Sequence, residues 1–138
     1  MMVKNAPYKF SEFKSLTIKY GVTDSLVNQY DSKTGAYQYL NKEDSLVKKS
    51  VKLSKDDLLV LHRRAAQLGF WNFPSQIVNG EDSSKKSLQY VVEFNYERKS
   101  KKVIFDANFN GDPKLKDAAR RLIEEINSSI NDAEDRMR

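Results

Sequence analysis

The chain has 138 residues, 39% of them hydrophobic and 31% charged, with 24 Lys plus Arg against 19 Asp plus Glu and a net charge of +5. That length and apolar content suit a single domain with its own core, and they exclude an intrinsically disordered chain. The absence of cysteine excludes a disulfide framework, a thiolate nucleophile and a Cys-ligated metal, and no apolar run approaches the ~18 residues that a membrane span needs.

Residues 1–12 read as a loose N-terminal arm in which Pro7 blocks a regular ladder and Tyr8 and Phe10 are free to pin the segment. The arm lacks the apolar core of a secretory signal. The expected location is therefore cytoplasmic as the chain stands, or periplasmic or cell envelope if a signal segment was removed. From Phe13 to Tyr20, Leu16, Ile18 and Tyr20 alternate with Ser15, Thr17 and Lys19, the period of a half-buried strand. Gly21 and Thr23-Asp24 turn the chain into a second strand, Ser25 to Tyr30. Asp31 to Gly35 is a hairpin loop whose final glycine supplies a positive φ, and Ala36 to Leu40 is a third strand with Tyr37 and Tyr39 on one face. After the turn Asn41 to Asp44, the fourth strand runs from Ser45 to Leu53. Val47, Val51 and Leu53 share a face that Lys49 interrupts, while Lys48, Ser50 and Lys52 face the other way, so the sheet is expected to be covered on one side only.

The segment Leu53 to Pro74 carries the best-marked helix. Ser54 is the N-cap, with Asp57 at the third helical position to close a capping box. Leu58, Leu61, Ala65 and Leu68 recur at helical spacing, and Gly69 stops the helix in the left-handed conformation. Phe70, Trp71 and Phe73 follow as an aromatic plug over the seam between helix and sheet. Ser75 to Ser87 reads as a mobile polar loop. Leu88 to Glu97 and Lys102 to Ala107 form a hairpin, with Leu88, Tyr90, Val92, Phe94 and Tyr96 on one face and Val103 and Phe105 inward. Asp112-Pro113 opens a last helix, carrying Leu115, Ala118, Leu122, Ile126 and Ile130 on one stripe. The expected fold is α+β: an antiparallel sheet of about six strands, a meander plus a hairpin, packed on one face by two helices. Its domain spans 13–131, ahead of a frayed charged tail at 132–138.

The residues that carry chemistry do not assemble in the sequence. His62, the one histidine, has Ala65 and Ala66 where a metal-binding helix would place companions. Asp56-Asp57 belong to a helix N-terminus, and Glu124-Glu125 follow Arg120-Arg121 at ion-pairing distance. Asp106, at a strand end, is the acid most worth inspecting. Glu81-Asp82 is too short a signal for a calcium loop, and the five glycines lack the spacing of a phosphate loop. The expectation is a protein that is not an enzyme, with no catalytic residue, no cofactor and no metal. The lysines are scattered, and the tyrosines fall in phase with aliphatic core residues, so nucleic acid is not the expected partner. Trp71, beside the loop residues Asn79, Gly80, Glu81 and Asp82, is the candidate partner surface.

Taken in order, the strand Phe13 to Gly21, the helix opening Leu53-Ser-Lys-Asp-Asp-Leu58, the ending Gly69-Phe-Trp-Asn-Phe-Pro74 and the final Asp112-Pro-Lys-Leu115 carry a family likeness. This arrangement resembles small bacterial domains of unknown function, many of them in predicted envelope lipoproteins, and covers residues 13 to 130. The resemblance implies an α+β binding or interaction module and transfers no catalytic residue. The expected function is a non-enzymatic domain that binds a protein, peptide or envelope component through its sheet face or the 75–87 loop. Two alternatives stand beside it: a basic nucleic-acid-binding domain, and a carrier for a small apolar ligand in a pocket lined by Phe70, Trp71 or Tyr90.

Overall fold

A computed structural model describes residues 8–22, 25–78 and 88–136. The strands are β1 (Phe13–Val22), β2 (Ser25–Asp31), β3 (Ala36–Leu40), β4 (Leu46–Ser50), β5 (Gln76–Ile77), β6 (Leu88–Tyr96) and β7 (Ser100–Asp106). The helices are α1 (Lys55–Leu68), between β4 and β5, and α2 (Pro113–Arg136) after β7. Short 3₁₀ turns at Phe10–Glu12 and Phe70–Asn72 precede β1 and follow α1. The architecture is the α+β one expected. The single sheet has the order β4-β3-β2-β1-β6-β7-β5, so β1 sits at its centre, where the meander and the hairpin meet.

Two rows of residues define the two faces. Lys49, Tyr37, Tyr30, Ile18, Val92 and Val103 are successive cross-strand neighbours. Their side chains lie on the helix side, where Tyr30, Ile18, Val92 and Val103 are buried. One residue along each strand, the row Lys48, Gln38, Gln29, Lys19, Val91 and Ile104 faces away from the helices. A slip of one residue would exchange these rows, so burial of the first row sets the register of the second. Leu16, Phe94, Phe70, Leu61, Leu122 and Ile126 fill the space between sheet and helices; each such side chain contributes about 1.5–3 kcal/mol when removed from water.

The cap chemistry of α1 is present in full. The Asp57 N–H donates to Ser54 Oγ at 3.0 Å, and the Ser54 N–H donates to Asp57 Oδ2 at 2.9 Å. Gly69 takes φ 83°, and its N–H reaches the carbonyls of Ala65 and Ala66. At β4 the ladder ends at Ser50, earlier than the alternation suggests. Val51 and Leu53 leave it to enter the core, and the Tyr30 hydroxyl donates to the Val51 carbonyl at 2.8 Å.

Two further stretches differ from the sequence expectation. Gln76–Ile77, within the stretch read as a polar loop, is a seventh strand parallel to β7, with Ile77 1% exposed. Two residues are too few to display an alternation, so nothing local marks this strand. The second helix also continues past Asn131 to Arg136. Ala133 is buried there, Glu134 pairs with Lys49 of β4, and Arg136 donates to Asp57 of α1 at 2.7 Å. Contacts distant in sequence hold this last turn in helical form.

Candidate interaction face

Trp71 stands at the centre of a ring of aromatic side chains. Tyr8 stacks on it with centroids 4.2 Å apart and planes at 17°. Phe94 meets it edge-on at 5.5 Å, Tyr96 at 5.8 Å and Phe70 at 5.4 Å. The Lys99 ammonium lies 4.1 Å from the Tyr8 centroid. Trp71 is thus half-buried and occupied by the chain's own residues, which fits its reading as a plug that closes the core. The other members of the proposed partner surface, Asn79, Gly80, Glu81 and Asp82, lie outside the described residues.

The two residues with the best claim to acid–base chemistry sit on opposite sides of the sheet. His62 on α1 joins the aromatic ring, with Nδ1 2.6 Å from the Tyr96 hydroxyl. Burial, with the charge of Arg63 next, holds its imidazole below the usual histidine range. Asp106 is on the uncovered side, 8% exposed, and accepts from Gln89 Nε2 at 2.9 Å. Neither has the other as an orienting partner. Among the described residues no group of three His, Asp or Glu side chains is placed to hold a metal ion, and no helix is long and apolar enough to cross a membrane. Three helix-surface acids are in ion pairs: Glu124 and Asp117 with Arg120, Asp117 also with Arg121, and Glu125 with Arg64.

Among the described residues, the face that neither helix covers is the side of the sheet turned away from both of them. It carries a shallow trough of about 560 Å³ lined by Thr17, Lys19, Gln29, Gln38, Lys48 and Lys102 together with Asp31 and Glu93. The Gln29 amide donates to the Leu26 carbonyl at 3.0 Å and the Gln38 amide to the Val27 carbonyl at 2.8 Å, which fixes both side chains along the strands. Lys19, Lys48 and Lys102 are exposed. Among the described residues none of these three lysines is in an ion pair. Tyr30 and Tyr37 also line the trough, but with Tyr90 and Tyr96 they belong to the core on the helix side, where burial pushes the Tyr30 and Tyr37 phenols up to about 12. The row Lys48, Gln38, Gln29, Lys19, Val91 and Ile104 therefore offers no ring on which a base could stack.

The residues of this row were not singled out in the sequence. Four of them, Lys48, Gln38, Gln29 and Lys19, are polar and two, Val91 and Ile104, are aliphatic, and which of them become neighbours depends on pairing across six strands. No protein-family model, no curated protein and no solved structure matches this chain.

Proposed function

We propose that this protein is a non-enzymatic interaction domain that binds a protein or peptide partner on the uncovered face of its sheet. The observation that carries the reading is the trough bounded by Lys19, Gln29, Gln38, Lys48 and Lys102, a broad polar surface whose lysines form no ion pair among the described residues. Sheets covered on one side commonly leave the other to solvent. What favours a binding role is the combination of a concave outline, fixed amide side chains and three exposed lysines that, among the described residues, form no ion pair even though Asp31 and Glu93 line the same trough. Cationic surfaces of this kind attract acidic partners and speed their encounter.

A photo-crosslinking residue at Gln29, compared with one at Val60, tests the reading. Val60 is 51% exposed on α1, on the other side of the molecule. The expected result is one partner captured from position 29 and not from position 60, and lost when Lys19→Glu and Lys102→Glu are introduced together. Turnover in a broad hydrolase screen that disappeared with His62→Ala or Asp106→Asn would overturn the reading. Binding to single-stranded DNA that weakened steeply with salt would overturn it in favour of a nucleic-acid partner.

A further inference from the structure

We infer that β4 accepts an extended acidic segment as an eighth strand of the sheet, an inference that rests on the proposed partner-binding role and specifies the form of that partner. β4 is the outermost strand on its side. Its ladder with β3 is bracketed by two bonds, Asn41 N–H to the Ser45 carbonyl at 3.0 Å and Val51 N–H to the Gly35 carbonyl at 2.8 Å. Hydrogen-bonded and non-hydrogen-bonded pairs alternate along an antiparallel ladder. Val47 and Lys49, opposite Tyr39 and Tyr37, therefore turn their backbone groups toward β3. Leu46, Lys48 and Ser50 turn theirs away from the sheet. The other edge, β5, has two residues and offers no comparable run.

The same three residues carry side chains of the uncovered face. Leu46 and its cross-strand partner Leu40 are 48% and 42% exposed, an apolar pair left in water. Lys48, two residues on, is exposed and in no ion pair among the described residues. The edge thus combines three outward-pointing peptide groups, an aliphatic contact and a positive charge at fixed spacing. Its complement is a strand with a carboxylate beside Lys48 and an aliphatic side chain beside Leu46. Strand addition of this kind draws affinity from the main chain and specificity from alternate side chains. A second copy of this chain is a poor occupant, because the antiparallel register that uses all three outward residues on both strands sets Lys48 directly against Lys48. A nucleic-acid strand has no peptide groups with which to continue the ladder.

The test titrates a capped heptapeptide, Thr-Thr-Glu-Thr-Leu-Thr-Thr, into the whole ¹⁵N-labelled chain, with the same peptide carrying lysine for glutamate as control. The expected result is slowed hydrogen exchange at the Leu46, Lys48 and Ser50 amides, and binding about fivefold weaker for the lysine peptide. In Lys48→Glu, whose fold is checked by its unchanged amide spectrum elsewhere, the preference reverses. Shifts confined to Thr17, Lys19 and Gln29, with no protection in β4, would overturn the edge inference and leave the face reading intact. An absence of binding by the glutamate peptide would overturn the edge inference whatever the crosslinking at Gln29 shows, and an unchanged preference in Lys48→Glu would overturn it as well.

Discussion

The Nδ1 atom of His62 lies 2.6 Å from the phenolic oxygen of Tyr96, tying α1 to β6 inside a ring formed by Trp71, Phe10 and Tyr8. Burial raises the Tyr96 phenol, and the neighbouring Tyr8 adds to the effect. With the phenol neutral and the imidazole held below its usual range, the contact joins two neutral groups, and the imidazole tautomer sets which of them donates.

A pH dependence of stability follows from this pair. Between the depressed folded value and the ordinary 6.5, the unfolded chain binds a proton that the folded chain refuses, so stability rises with pH across the interval. The contribution is present above 6.5 and is lost as pH falls through the folded value. Urea midpoints taken on either side of the interval measure the slope, and His62→Asn should flatten it. A variant that kept the full slope would assign it to another group.

Tyr8→Ala should be visible in the fluorescence of the single tryptophan. The stacked ring 4.2 Å away shields one face of Trp71, and its removal admits water and moves the emission to longer wavelength. The stacked contact itself is worth about 1 kcal/mol, readable as a lowered urea midpoint. An unchanged emission maximum would mean that Tyr8 does not cover Trp71 in solution.

Ending the chain after Asn131 removes Ala133, the Lys49–Glu134 pair and the Arg136–Asp57 pair together. The ion pairs are partly exposed and individually weak, so the expected loss is about 1–2 kcal/mol. Thermal unfolding of the truncated chain measures it. A truncation with no cost would show that the last turn of α2 frays in solution.

At Gly35 the backbone takes φ 78°, and a Cβ built there would sit 3.1 Å from the Val51 carbonyl oxygen. Gly35→Ala should therefore destabilise the β2–β3 turn by about 1–2 kcal/mol, whereas Thr34→Ala at the neighbouring exposed position should cost less. Denaturant unfolding of the two variants compares them directly.

How much of this molecule could be read from its sequence varies with the range of the interaction concerned. The bounds of α1 were legible because Ser54, Asp57 and Gly69 act within a few residues of themselves, and the backbone groups they satisfy belong to the same turn. The inward and outward faces of β1, β6 and β7 were legible for a similar reason, since period-2 alternation is a property of a single strand. β5 was not, because Gln76 and Ile77 become a strand only by pairing with Ile104 and Phe105. Neither was the helical end of the chain, where Glu134 and Arg136 find partners more than seventy residues away.

The binding face divides in the same way. Sequence alone determined that Lys19 and Lys48 lie on the polar side of their strands. Only the tertiary structure decided that they form one row, that the helices cover the opposite side, and that Leu46, Lys48 and Ser50 end the sheet with their peptide groups outward. The physical reason is that a side chain's face follows from the geometry of its own strand. Its neighbours, and whether an edge is left open, follow from hydrogen-bond register and packing between segments distant along the chain.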